Sequence, residues 1–136
     1  MNSSFIKGNS RYILYSIAAL ILGFFPYLLI RGIHIDNIHI DPLLENMAAP
    51  YFIKYSISDG LWTMSLSYTL IYIWIKNNFF ILIFSTLIAP LLGITLEILQ
   101  YQNLIFGTFD YIDIISIILF YLLTITHYFY AHENFI

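Results

Sequence analysis

The sequence predicts an all-α integral membrane protein: a four-transmembrane-helix bundle with one longer interfacial loop between helices 1 and 2. Three observations predict it. Of the 136 residues, 60% are hydrophobic and only 10% are charged, and the mean hydropathy is +0.82. A soluble domain carries about a quarter charged residues, and this chain has too few to build a water-facing surface. The apolar residues gather into four segments of near-spanning length, where a helix needs roughly 20 to cross a bilayer. Polar residues fall between those segments or along one side of them. The length suits a single membrane domain over 1–136.

The first segment runs from about Tyr12 to Ile30, behind a short polar start with Lys7 and Arg11. It reads as a retained helix and not a signal peptide, because its apolar run is long and Arg31 follows it instead of a small-residue cleavage motif. Pro26 should kink it or end its regular part. The second segment, about Gly60 to Ile75, is short and rich in hydroxyls. Lys76-Asn77-Asn78 form a turn, and the third helix covers about Phe79 to Leu99. The fourth covers about Asp110 to Tyr130. Trp62, Trp74, Tyr111, Tyr128 and Tyr130 stand near helix ends, as interfacial aromatics do.

The loop over 31–59 opens with Ile33-His34-Ile35-Asp36-Asn37-Ile38-His39-Ile40-Asp41, which mostly alternates apolar with polar and suits an extended interfacial segment. Its His-Ile-Asp pairs lack a recognised zinc spacing, and no residue of the chain is assigned as a metal ligand. Asp41-Pro42 reads as an N-cap and first helical residue of a short helix that stops before Pro50. Absent cysteines exclude disulfides, thiolate catalysis and zinc–thiolate sites. The net charge of −3 leaves no footprint for nucleic acid. The sequence assigns no cofactor. The bilayer is the implied partner, in a bacterial inner membrane, with both termini on one side. That side holds Lys7, Arg11 and Lys76 against Arg31 and Lys54 on the other, which favours cytoplasmic termini.

Helix–helix packing in lipid rests on small residues more than on apolar burial. In the third segment Ser85, Ala89 and Gly93 recur every four residues, and the next step on that stripe is Glu97. Gln100 follows almost in line with Gly93. Glu97 is therefore expected to look into the bundle. In the fourth segment Asp110, Asp113, Ser116, Phe120, Thr124 and His127 share one side. The hairpin between them brings Asp59, Glu97, Asp110 and Asp113 to one membrane face, with Gln100 among them and Gly107-Thr108 in the turn.

Capping explains part of this. Asp59 and Asp110 stand where helix N-caps belong, Asp113 in a first turn. Gly107 suits a turn that needs positive φ, and Trp62 an interface anchor. Glu97 has no such role, because the helix dipole disfavours a negative charge near a C-terminus. An acidic group at membrane depth marks a functional site or a structural hydrogen bond to Gln100 or another helix. Clustered carboxylates either share a hard cation such as magnesium or calcium, or hold protons and serve as general acid and base. The candidate catalytic groups are Glu97, Asp113 and Asp110; the candidate ligand-binding residues are Asp59, Trp62, Gln100 and Thr108. His127 and His132 lie a membrane thickness away, which disfavours a Ser-His-Asp set.

Glu97-Ile-Leu-Gln100 followed by Gly107-Thr-Phe-Asp110-Tyr-Ile-Asp113 resembles the VanZ-like family of small bacterial membrane proteins. Ser58-Asp59-Gly60-Leu61-Trp62 sits where that family begins its second helix, and the resemblance spans roughly residues 55–125. Trp62-Thr63 replace the histidine common in that region of the family, Phe106-Gly107-Thr108 lack the basic residue common before the aromatic, and Ser116 stands where an asparagine is common. Founding members are linked to glycopeptide-antibiotic resistance, mainly to teicoplanin. The resemblance implies an acidic site that binds or processes a lipid-linked or cell-envelope ligand. A non-enzymatic accessory or assembly subunit of a larger membrane complex is the alternative, and a proton or cation pathway a third reading.

Overall fold

The structure is a computed structural model that describes residues 3–26, 28–29, 33–35, 38–40, 50, 52–76 and 78–133. Helix α1 spans Ser3–Pro26, α2 Ile57–Trp74, α3 Phe79–Thr86, α4 Ile88–Tyr101 and α5 Tyr111–Glu133. Two short strands, β1 (Ile33–Ile35) and β2 (Ile38–Ile40), pair antiparallel between α1 and α2, with Ile33 opposite Ile40 and His34 opposite His39. The alternating tract is thus extended, and it folds back on itself as a hairpin. A π-helical turn, Phe52–Ser56, leads directly into α2. The short helix expected after Asp41-Pro42 lies outside the described residues.

Several boundaries differ from the sequence reading. Helix α1 begins well before Tyr12 and ends at Pro26 instead of near Ile30. Residues 52–59, read as loop, are helical. The third segment is two helices meeting at Leu87. Pro90 accounts for the break: it has no N–H to give the Thr86 carbonyl, four residues back, and its ring crowds that carbonyl. Phe79–Tyr101 nonetheless forms one long apolar helical stretch.

Helix α2 is the hub: it packs against α1, α3, α4 and α5. What it buries is mostly polar or small, namely Ser58, Gly60, Thr63, Ser65, Ser67 and Tyr68 with Ile71. Its hydroxyls are satisfied largely from within. Thr63 donates to the Asp59 carbonyl (2.9 Å), Ser67 to Thr63 (2.8 Å) and Thr69 to Ser65 (3.1 Å). Such back-bonding removes the cost of burying a hydroxyl and lets a neighbouring helix approach closely. Ser16 of α1 crosses the gap, 2.8 Å from Thr69 Oγ1 and 3.1 Å from Ser65 Oγ.

Glycines set the close crossings. Gly23 of α1 lies under the Trp62 indole, where a Cβ would come within 2.5 Å of Cδ1. Gly60 of α2 lies under Ser116 and the Phe120 ring of α5, and Gly93 of α4 lies under Ile117, 2.9 Å from the position of a Cβ. Leu, Ile and Phe side chains meanwhile fill the outside of α1, α3, α4 and α5. Two stretches, Phe79–Tyr101 and Tyr111–Ala131, are helical, long and apolar enough to cross a membrane.

The ends of the bundle differ in chemistry. One end gathers Tyr12, Tyr68, Leu82, Ile71 and Tyr128. There the Tyr68 hydroxyl is hydrogen-bonded to His127 Nδ1 (2.8 Å), and the Arg11 guanidinium stands 5.1 Å over the Tyr12 ring. The other end holds Asp59, Glu97 and Asp113.

Candidate acidic site

The site is built from three helix ends. Asp59 lies in the first turn of α2, Glu97 in the last turns of α4 and Asp113 in the first turn of α5. One carboxylate oxygen from each lies within 4.8 Å of the other two. Glu97 is 5% exposed and Asp113 8%, while Asp59 is half-buried. Glu97 reaches this place because Ala89 and Gly93 keep its face of α4 against the bundle, Ala89 being fully buried and Gly93 lying against Ile117.

The turn after α4 positions the rest. Asn103 adopts a left-handed conformation (φ 57°) just beyond the helix. The Leu104 N–H bonds the Leu99 carbonyl and the Asn103 N–H bonds that of Gln100, each at 2.9 Å. This is the six-to-one and five-to-two pattern of a Schellman stop. Gly107 (φ 136°) then turns the chain back, with its Cα against the Gln100 side chain. The Asp110 N–H consequently reaches Glu97 Oε2 at 3.3 Å. Asparagine is the non-glycine residue most at ease with positive φ, so Asn103 carried a stop signal that the sequence reading did not use.

The seven candidate residues separate into groups. Asp59, Glu97 and Asp113 come together. Asp110 touches Glu97 through its backbone, and its side chain accepts the Ile112 N–H at 2.9 Å, an N-cap to α5. Asp110→Ala is expected to lower stability by about 1 kcal/mol through the lost cap, measured by thermal unfolding in detergent, with the Asp110 N–H still available to Glu97. Asp59, by contrast, is not a cap. The helical run already extends upstream through Phe52–Ser56, so its carboxylate is left to face the site. Gln100 is half-buried and braces the loop at Gly107. Trp62 packs on α1 at Gly23, its ring 5.7 Å from that of Phe24. Thr108 is exposed on the loop.

Two buried hydroxyls, each about one turn along the helix from a site carboxylate, were not singled out as site residues by sequence. Ser116 and Ser56 are fully buried, and neither Oγ has a hydrogen-bond partner among the described residues. Ser116 follows Asp113 by one turn, and Ser56 precedes Asp59 by about one turn. His127 stands fourteen residues beyond Asp113, about 21 Å along α5, and is engaged by Tyr68. Chemically, three convergent carboxylates offer hard oxygen ligation or a shared proton. Comparison with family models, curated proteins and solved structures finds no match to this chain.

Proposed function

We propose that this chain is a four-span protein of a bacterial inner membrane, VanZ-like in kind, whose acidic end binds or processes a lipid-linked or cell-envelope ligand. The convergence of Asp59, Glu97 and Asp113 from three helices at one end of the bundle carries the reading. An acidic group held inside an apolar shell is costly to keep and is by default a functional group. Four spans are supported by dimension: α5 extends about 35 Å, the apolar part of α1, Ser10–Pro26, about 26 Å and α2 about 27 Å, beside a hydrocarbon core of about 30 Å. They are supported too by the distribution of side chains, with hydroxyls inside and Leu, Ile and Phe outside. With four spans both termini share a side, and the Lys and Arg bias makes it the cytoplasmic one, so the acidic end faces outward.

In this reading Glu97 is the central group, positioned by the Asp110 N–H, and Asp59 and Asp113 complete the site. The test is lipid retention. The full chain is purified from bacterial membranes in mild detergent, and its bound lipids are identified by mass spectrometry. Wild type should retain a lipid-linked envelope species, and Glu97→Ala should retain at least about tenfold less, the equivalent of about 1.4 kcal/mol, while still inserting and showing native helicity. Equal retention by Glu97→Ala overturns the reading. A stoichiometric unrelated protein in place of a lipid gives the accessory-subunit function instead.

A further inference from the structure

The loop between α4 and α5 presents an apolar surface where two apolar helices end. No charged residue stands between Glu97 and Asp110. Leu104 and Ile105 are exposed, and Phe106 is fully exposed. We propose that these three side chains dock into the lipid leaflet at this end of the bundle, seated at the boundary between headgroups and acyl chains. The proposal rests on Phe79–Tyr101 and Tyr111–Ala131 crossing the bilayer, and not on the identity of any ligand.

Two independent observations name lipid as the occupant. The first is the level at which the loop lies. Phe79–Tyr101 has 23 residues, or about 35 Å of helix, against a hydrocarbon core of about 30 Å. Its last turn therefore emerges among the headgroups. The loop stays at that level. Gly107, the residue after Phe106, has its Cα against the Gln100 side chain, where a Cβ would stand 2.5 Å from Nε2 and 3.1 Å from Cγ. The Phe109 ring packs edge-on against Tyr101, with centroids 5.1 Å apart. Gln100 and Tyr101 close α4, so the chain around Phe106 folds back beside the helix end instead of standing out into water.

The second observation is continuity with the lipid-facing surface. Tyr101 and Tyr111 are exposed at the two helix ends, and Phe109 joins them, its ring 4.7 Å from that of Tyr111. Aromatic residues grouped in this way mark the membrane–water interface. Exposed Leu96 and Ile98 on α4 and exposed Ile115 and Ile118 on α5 continue the apolar surface along both helices. The triplet thus sits on the loop that connects two lipid-facing helices. An exposed apolar patch marks a membrane or protein contact, and here the neighbouring surface is one that lipid covers.

The loop is also prepared for insertion. The Schellman stop at Asn103 and the left-handed Gly107 hold the backbone on either side of the triplet. Little conformational freedom remains to be lost when lipid covers it. Docking would seat the turn that hands the Asp110 N–H to Glu97.

Site-directed spin labelling tests the proposal, and the absence of native cysteine makes single-site labelling direct. The full chain carrying Phe106→Cys with a nitroxide label is reconstituted into vesicles of phosphatidylethanolamine and phosphatidylglycerol. Its accessibility to oxygen and to a water-soluble nickel chelate is then measured by electron paramagnetic resonance. Oxygen should dominate, placing the label about 5–10 Å into the headgroup–acyl boundary, and deeper than a label at Gln102→Cys. Adding Leu104→Ser and Ile105→Ser should raise nickel accessibility at 106 at least about threefold as the apolar seat is lost, with helicity unchanged. Nickel accessibility at 106 equal to that of a free label in water overturns the proposal. So does an immobilised label shielded from both reagents, which would place a second copy or another protein on the loop. A chain that fails to associate with vesicles overturns the membrane reading and this proposal together. A loop in water beside a lipid-linked ligand lost on Glu97→Ala overturns the docking alone. A seated loop without any retained ligand supports the docking and overturns the ligand reading alone.

Discussion

Replacing Gly60 with leucine is expected to produce the largest loss of stability among single changes in this bundle. Gly60 lies on the buried face of α2, and α5 approaches it so closely that even a Cβ would overlap Ser116 Oγ and the Phe120 ring, with Phe120 Cγ at 2.9 Å. The obstacle is not the end of a flexible chain. Phe120 and Ser116 are carried by the helix itself, and Ser116 is fully buried. Leucine must push α5 away from α2 along the seam between Asp59 and Asp113. Overpacking of this kind costs about 1–3 kcal/mol and sometimes more, and the Gly60 contact should lie at or above the upper end. Thermal unfolding in detergent measures it, with Gly60→Ala as an intermediate case. A leucine variant as stable as wild type would show that α2 and α5 do not cross at this distance.

The second large effect is expected at Gly107. Its φ of 136° is a conformation that side-chain-bearing residues rarely adopt, and a Cβ there would stand 2.5 Å from Gln100 Nε2. Gly107→Val therefore combines backbone strain, worth about 1–3 kcal/mol, with displacement of the Gln100 side chain. The consequence should reach Glu97, because this loop delivers the Asp110 N–H to it. Thermal unfolding and limited proteolysis of the 102–110 loop provide the measurement: a lower unfolding temperature and faster cleavage are expected. Gln100→Ala in the valine background should recover part of the loss by relieving the overlap. The backbone strain alone would remain.

The features legible in the sequence are those written as periodicity. Ala89, Gly93 and Glu97 recur every four residues, and a stripe of that period has one face, so an inward-facing Glu97 could be read directly. Asp110 and Asp113 were legible for the same reason, together with the N-cap chemistry of Asp110. What periodicity does not record is where a helical run begins when the residues before it are not apolar. Phe52–Ser56 coil as a π-helical turn ahead of α2, which takes Asp59 out of the cap position and aims it at the other carboxylates. Trp62 was ambiguous because it is close in sequence to Asp59, but whether it faces the acidic end or α1 depends on a partner, Gly23, that is 39 residues away. The break at Leu87 was hidden by the opposite problem. The run from Phe79 to Leu99 is so apolar that it reads as one helix, although Pro90 carries the physical reason for two. Ser116 was visible on the polar stripe, but its lack of a hydrogen-bond partner among the described residues is a property of three-dimensional packing.

Helix α2 has a consequence for how the protein is made. It is the middle of the bundle and also its most hydroxyl-rich helix, with Ser58, Thr63, Ser65 and Ser67 buried. A segment like this gains little by entering lipid alone, since its interior-facing hydroxyls find neither water nor a neighbour there. Its partners arrive on both sides of it in the chain: α1 is synthesised before it, α3 to α5 after. In the four-span reading proposed above, α2 is therefore a dependent segment, retained in the membrane by the helices around it. On that reading the order in which the ribosome supplies them becomes part of the folding mechanism, with α5 closing over Gly60 and bringing Asp113 to Asp59 and Glu97.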